Sequence, residues 1–331
     1  MATLKDVAAL ANVDVSTVSR ALNNTSYVHP ETKERVYAAA KELGYRPNAI
    51  ARALRQGHSH IIGVVVPRLY LTIFSEILQG IEAEAQKLGY MTTVCVTEDD
   101  PKIEKDRLNR LRSSGVDGII IAGSGRNGRL LRDIRASDIA VVQLVRRQEP
   151  ELSSVIADYE TCGRDAVYYL HAKGCRQIGI IAGAQHLAPF RDRFVGYCNA
   201  MQELGLEEIV SSDDSKVNSF RYGYDCAVQL LDENPDLDAI IASVDVQGLG
   251  AIRAAAERGL KIPEQIKIIS LTGHRVGRML QTTMTSMEMP AFEMGSAATR
   301  LIVDYLEADS RHKPAIRHID FSSTLVERES T

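Results

Sequence analysis

The sequence predicts an N-terminal all-α helix-turn-helix domain followed by an α/β core of two doubly wound parallel-sheet subdomains. Three observations carry that prediction. The first 45 residues form three short helical patterns, with a tight turn between the first two. From Ile61 the texture changes to continuous apolar runs alternating with helical patterns, the mark of parallel strands covered on both faces. At least eight such runs occur, which is many for one open sheet, and the series breaks near Asp158.

Each element has a local reason. Thr3 reads as the cap of a first helix, with Asp6 three residues on and Leu4, Val7, Ala8 and Ala11 at helical spacing. Asn12 tolerates the left-handed backbone of a tight turn, and Asp14 caps a second helix from Val15 to about Asn23, with Val18 and Leu22 inward. Pro30 after His29 opens a third helix, whose inner stripe is Val36, Ala39, Ala40 and Leu43 and whose end is Gly44. Residues 47–60 form a linker with one short helix, Ala49 to Gln56, too short to be stable alone in water. Strands are then expected at Ile61–Val66, Met91–Val96, Gly118–Ala122, Ala140–Val145, Ser154–Ala157, Ile178–Ala182, Ala239–Ala242 and Ile266–Leu271. Helical patterns fill the gaps, including Phe74–Leu88, Tyr159–Lys173, Arg191–Leu204 and Gly248–Arg258. A last helix near Pro290–Leu306 and strands near His318–Phe321 and Thr324–Val326 close the chain. The expected division is residues 1–46, the linker 47–60, and a core 61–331. Within the core, the first subdomain takes about 61–158 and 288–316, and the second about 159–287 and 317–331.

Composition narrows the class. The 331 residues carry a net charge of −4, which excludes a uniformly basic coat protein. The charge is uneven: residues 1–60 sum to +3 and the remainder to −7. No apolar run approaches the roughly 18 residues that span a bilayer, and the N-terminus has no apolar signal core, so neither membrane nor export is expected. Five scattered cysteines without a CxxC argue against a disulfide framework or zinc ribbon and suit a reducing cytoplasm.

Two motifs carry opposed chemistries. The second helix exposes Ser16, Thr17, Ser19 and Arg20, short hydroxyls and one guanidinium that can donate to phosphates and base edges. The same pattern would also serve a plain three-helix cap. The segment Gly123-Ser124-Gly125-Arg126-Asn127-Gly128 is a literal GxGxxG between a strand and a helix, with Arg146 and Arg147 about 20 residues on. It raises a nucleotide-cofactor enzyme. The alternative is a glycine-rich crossover turn, since the motif follows the third strand rather than opening the fold.

The run Leu4-Lys5-Asp6-Val7-Ala8, then Val15-Ser16-Thr17-Val18-Ser19-Arg20-Ala21-Leu22-Asn23, then Arg46-Pro47-Asn48-Ala49-Ile50-Ala51-Arg52-Ala53-Leu54 closely resembles the DNA-binding domain and hinge of the lactose/galactose repressor (LacI/GalR) family. Weaker matches, such as Phe74-Ser75-Glu76-Ile77-Leu78-Gln79-Gly80-Ile81, continue through the core, so the resemblance covers nearly the whole chain. Asn12 stands where the family has a turn glycine, and Asp14 where it has a serine cap.

The resemblance implies a periplasmic-binding-protein-like core, a homodimer, and double-stranded operator DNA with a pseudo-palindromic site as partner. It assigns DNA contacts to Thr3, Val15, Ser16, Thr17, Ser19, Arg20, Asn23 and His29. In the hinge it gives Leu54 the role of a wedge in the minor groove, Ala51 a packing role, and Asn48 and Arg52 phosphate contacts. In the cleft between subdomains it places a small-molecule effector, a sugar or sugar derivative, against Phe74, Ser124, Arg146, Arg193, Asp245, Thr272 and His274. Several family acids and amides are missing there: Val244 precedes Asp245, Leu271-Thr272-Gly273 replaces an aromatic-acid-acid run, Met289 stands for a glutamine, and Val145 for an acid beside Arg146. A cleft that loses acids and keeps arginines is expected to suit an effector less polyol-like than a free hexose, or an anionic one such as a sugar phosphate or sugar acid.

No metal-ligand spacing and no Ser/His/Asp set can be singled out, so no cofactor, metal or catalysis is expected. The chain shows no heptad repeat after its last strand, so the tetramer-forming extension of some relatives is not expected. The expected function is a ligand-responsive regulator, a repressor of a carbohydrate operon. A soluble sugar-binding receptor is the rival reading, and it would need a signal peptide and no helix-turn-helix domain.

Overall fold

The computed structural model describes residues 2–23, 26–45, 58–211, 219–273, 275–309 and 313–331, with only the backbone of Asn23 and Arg275. It divides into two compact units, residues 1–59 and 60–331.

The first unit holds α1 (Leu4–Ala11), α2 (Val15–Asn23) and α3 (Pro30–Glu42). Thr3 and Asp6 form a reciprocal capping box on α1: the Thr3 N–H donates to Asp6 at 2.7 Å, and the Asp6 N–H donates to the Thr3 hydroxyl. Asn12 takes the left-handed turn at φ 52°. Asp14 supplies its backbone carbonyl to the N–H groups of Thr17 and Val18. At the end of α3, Gly44 sits at φ 59° while the Tyr45 N–H returns to the Ala40 carbonyl at 2.8 Å, a Schellman closure. Val7, Ala8, Ala11, Val18, Ala21, Val36, Ala39 and Ala40 make the core. Leu43, expected in that stripe, is 36% exposed, because the helix has already ended there.

The second unit is two lobes. The first sheet runs β11-β5-β4-β3-β1-β2, with β1 (Ile61–Val66), β2 (Met91–Val96), β3 (Gly118–Ile121), β4 (Ala140–Leu144), β5 (Ser153–Ala157) and β11 (His318–Phe321), all parallel. The second runs β12-β10-β9-β8-β6-β7, with β6 (Ile178–Ile181), β7 (Ile209–Ser211), β8 (Ala239–Ala242), β9 (Lys267–Ser270), β10 (Thr285–Glu288) and β12 (Thr324–Val326). Its edge strand β12 is antiparallel to β10. β11 corrects one expected boundary: it pairs with β5 of the first lobe, so the chain returns to the second lobe only after Phe321, not at residue 317. The sequence reading missed β7, which has only three residues, and β10, whose Thr285, Ser286 and Glu288 break up any apolar run.

The helices cover these sheets: α4 (Thr72–Lys87), α5 (Pro101–Ser113), α6 (Gly128–Arg135), α7 (Tyr159–Ala172), α8 (Ala188–Glu203), α9 (Phe220–Glu233), α10 (Asp245–Glu257) and α11 (Ala291–Glu307). Three helix pairs cross at reciprocal glycines. A Cβ on Gly163 of α7 would lie 2.1 Å from the Arg193 carbonyl oxygen on α8, and one on Gly196 of α8 would lie 2.0 Å from the Glu160 carbonyl oxygen on α7. Gly80 and Gly295 do the same for α4 and α11, and Gly223 and Gly250 for α9 and α10. Backbone meets backbone at each crossing, so side chains cannot yield to admit a methyl group.

Candidate nucleic-acid face and effector cleft

In the first unit, α1 and α3 bury the apolar side of α2 and leave its other side to solvent. Val15 and Ser16 are exposed, Thr17 and Ser19 half-buried, and Arg20 exposed. The Arg20 guanidinium lies back along the helix, donating to the Ser16 carbonyl at 3.3 Å and the Thr17 hydroxyl at 3.4 Å. Those are long, exposed bonds, easily exchanged for a base edge or phosphate. His29 is exposed at the start of α3. Thr3 spends its hydroxyl on the capping box, which leaves its position at an exposed helix N-terminus as its asset for a phosphate. Asn48, Ala51, Arg52 and Leu54 lie outside the described residues, as does the side chain of Asn23.

In the second unit, the chemistry gathers where doubly wound sheets place it, just past the carboxyl ends of strands beside the switch points in strand order. Leu71 to Phe74 follow β1, Gly123 and Ser124 follow β3, Val145 and Arg146 follow β4, Leu187 to Phe190 follow β6, Val244 and Asp245 follow β8, and Thr272 follows β9. Phe74, Val145, Arg146, Tyr159, Phe190, Arg193, Val244 and Thr272 line one inner cavity between the lobes. It encloses about 30 Å³, space for little more than a water. A sugar-sized ligand therefore needs more room here than this arrangement of the lobes gives.

The polar side chains of the cleft have distinct environments. Asp245, 2% exposed, accepts from the Ser270 hydroxyl at 2.7 Å and from the Thr272 hydroxyl at 3.0 Å on one oxygen, and from the Thr72 hydroxyl at 3.0 Å on the other. The Thr272 hydroxyl also lies 3.0 Å from the Asp245 N–H. Arg193, 2% exposed, stacks its guanidinium 4.8 Å from the centre of the Tyr159 ring. The Tyr159 phenol donates to the Val145 carbonyl at 3.0 Å, and burial pushes its pKa up to about 12. The neighbouring Cys162 thiol is likewise pushed up by burial. Arg146 donates through one nitrogen to Asp99 at 2.5 Å and to the Gly123 carbonyl at 2.9 Å. Asp99 is shared with Arg68, also at 2.5 Å. Val145 holds φ 66°, a strained position for a β-branched residue, and the resulting tight turn brings the Arg146 N–H back to the Leu144 carbonyl at 2.7 Å.

Among the sequence-derived candidates, Phe74, Arg146, Arg193 and Thr272 line the inner cavity. Asp245 touches them through Thr272. His274 lies outside the described residues. Ser124 is placed differently: its N–H and hydroxyl both donate to the carboxylate of Glu104, which is fully buried and also accepts from Asn127 at 2.8 Å. That network answers the GxGxxG question. The donors a pyrophosphate would need are already held by Glu104, and a Cβ on Gly128 would strike the Glu149 carboxylate at 1.7 Å. Arg147 turns away to Ser154 and Asp320. Thr72, Asp99, Glu104 and Tyr159 escaped the sequence reading, because their roles come from partners 14 to 173 residues distant. A partial signal existed for Tyr159, which opens a helix with one residue between it and the end of β5.

Among the described residues, no helix is long and apolar enough to cross a membrane.

Comparison with known proteins agrees along the whole chain. Residues 3–48 match the family model for bacterial regulatory proteins of the lacI family, and residues 59–321 match that for periplasmic binding proteins and the sugar-binding domain of the LacI family. The ribose operon repressor of Halalkalibacterium halodurans is 32% identical over 332 residues, covering 100% of this chain and 97% of that protein. Catabolite control protein A of Staphylococcus epidermidis is 29% identical, with 95% of each chain covered. Among solved structures, a Lac repressor dimer bound to operator and the anti-inducer ONPF superposes with TM-score 0.86 at 26% identity, covering 100% of this chain and 99% of that one. The regulator CelR in complex with cellobiose gives 0.74 at 28% identity, with both chains fully covered. The chain belongs to the lacI family of bacterial regulatory proteins, with that family's DNA-binding domain at residues 3–48 and its sugar-binding-type domain through the core.

Proposed function

We propose that this protein is a homodimeric repressor of a carbohydrate-utilisation operon, controlled by a sugar or sugar derivative bound between its lobes. The observation that carries the reading is the union, in one chain, of a helix α2 that exposes Ser16, Thr17 and Arg20 with a core whose strand ends converge on one polar cleft. A dimer presents two such helices related by a two-fold axis, so its operator is a pseudo-palindrome. Relatives bound to operator, or to cellobiose, support both halves of the reading. The protein binds and releases DNA in the cytoplasm and performs no chemistry on its effector.

The coupling runs through the lobes. An effector in the cleft favours one arrangement of the two lobes over the other and thereby governs residues 47–60, where in the proposed complex Leu54 wedges into the minor groove, Ala51 packs, and Asn48 and Arg52 meet phosphates. Linkage is reciprocal: operator changes effector affinity by the factor by which effector changes operator affinity. Footprinting on the DNA upstream of the protein's own gene, with and without a panel of sugars, tests this. A protected two-fold-symmetric site whose occupancy responds to one sugar class is expected. An absence of any protected site sinks the reading. Leu54→Ala is expected to weaken operator binding while leaving nonspecific binding nearly intact, and equal loss of both would remove the wedge role.

A further inference from the structure

Two spaces meet at Arg146. One is the inner cavity. The other is an outer hollow of about 210 Å³ at the mouth of the cleft, where Gly123, Gly125, Arg146 and Gln148 of the first lobe face His186 and Arg191 of the second. Among the described residues, no aspartate or glutamate lines it. The first turn of α8 opens on it through Ala188, while Pro189 has no N–H and the N–H groups of Phe190 and Arg191 donate to the Leu187 carbonyl.

The hydrogen-bond inventory is one-sided. The carboxylates close to both spaces are already engaged: Asp245 by three hydroxyls, Asp99 by two arginines, Glu104 by Ser124 and Asn127. The unspent groups are donors. Arg146, 6% exposed, and Arg193, 2% exposed, each bury an Nε–H that has no partner. Among the described residues at the rim, Oε1 of Gln148 is an unpaired acceptor, suited to a hydroxyl. A ligand that completes this set brings anionic oxygens and hydroxyl groups together.

We propose that the effector is a sugar derivative bearing an anionic group, a phosphate ester or a carboxylate, and that this group seats in the outer hollow against Arg146 and Arg191. This rests on reading the cleft as the effector site. Arg146 has a fixed stem and an unspent donor, and Arg191 is held only by an exposed pair with its neighbour Asp192, which a ligand anion displaces at little cost. Because the hollow draws on both lobes, the anion bridges them, and its charge acts directly on lobe closure.

The full-length protein is first tested for a shift of its own upstream DNA, which reads the regulator function independently of ligand. It is then titrated calorimetrically with neutral mono- and disaccharides, each paired with its phosphate ester and its aldonic acid, and with inorganic phosphate alone. The expected result is that an acidic member binds at least about tenfold more tightly than its neutral parent and than inorganic phosphate, and that the better of the two acids names the group. Arg146→Gln and Arg191→Gln are each expected to weaken that member about tenfold or more. Arg191 is exposed, so its substitution probes the hollow without disturbing the core. The proposal is overturned if a neutral sugar binds as tightly as its acid, if no acidic member binds at millimolar concentration, if inorganic phosphate matches the ester, or if Arg191→Gln leaves acidic-ligand affinity within about twofold. A failure to shift DNA would instead strike the regulator reading and leave the ligand result standing.

Discussion

The hydroxyl of Thr72, at the start of α4 in the first lobe, donates at 3.0 Å to the carboxylate of Asp245, at the start of α10 in the second. The same carboxylate collects the hydroxyls of Ser270 and Thr272, so one buried charge gathers three donors and ties the lobes across the cleft. The arrangement links the approach of the lobes to the third bond on Asp245, the one from Thr72.

Asp245→Ala should therefore cost more than any one bond. It strands the hydroxyls of buried Ser270 and Thr272, and a loss of about 2–4 kcal/mol in core stability is expected by urea denaturation. Thr72→Ala should cost about 1 kcal/mol and mainly change effector affinity. The double variant should be no less stable than Asp245→Ala alone, because the Thr72 bond is lost in both cases.

Arg193 depends on a glycine crossing three residues along its own helix. Gly196→Ala and Gly163→Ala each set a methyl against backbone about 2 Å away and must push α8 off α7. Each should lower stability by about 3 kcal/mol or more and abolish effector binding. Gly205→Ala is the control: its φ is 66° but nothing lies within 4 Å, so a cost of about 1 kcal/mol without loss of effector binding is expected.

On the DNA face, Arg20→Ala and Thr17→Ala should each reduce operator affinity by about 10- to 100-fold, read by fluorescence anisotropy. The melting of the core should be unaffected, since Arg20 is exposed and both residues belong to the first unit. A comparable loss on unrelated DNA would make these residues phosphate contacts only.

Alkaline pH should expose the Tyr159 phenol. Its ordinary pKa is about 10 and burial raises it to about 12, so ionisation is easier in the unfolded chain. The associated stability is complete below pH 10 and falls as pH rises from about 10 to about 12, by up to roughly 2–3 kcal/mol. Tyr159→Phe should remove that part of the alkaline decline, measured by thermal melting across the range. It also forfeits the bond to the Val145 carbonyl, costing about 1 kcal/mol at neutral pH.

Much of this molecule was legible in the sequence, because its elements are written in local terms. Continuous runs such as Ile61–Val66 and Ala239–Ala242 name strands to the residue, since a strand buried on both faces tolerates nothing polar. The capping pair Thr3 and Asp6, the Asn12 turn and the Gly44 stop delimit helices through bonds that span five residues or fewer. Family motifs across residues 3–54 pointed to DNA, and the residues following β1, β4 and β9 pointed to the cleft. What only the tertiary structure decided are relationships between residues far apart in the chain. No local pattern tells that His318–Phe321 lies beside β5, that Gly163 and Gly196 share one crossing, or that Glu104 fills the Gly123–Gly128 loop. Nor does any say that Thr72 and Asp245 meet across 173 residues. Secondary structure follows from bonds and burial within one element. Which donors are spent and which remain for a ligand depends on partners that only packing brings together.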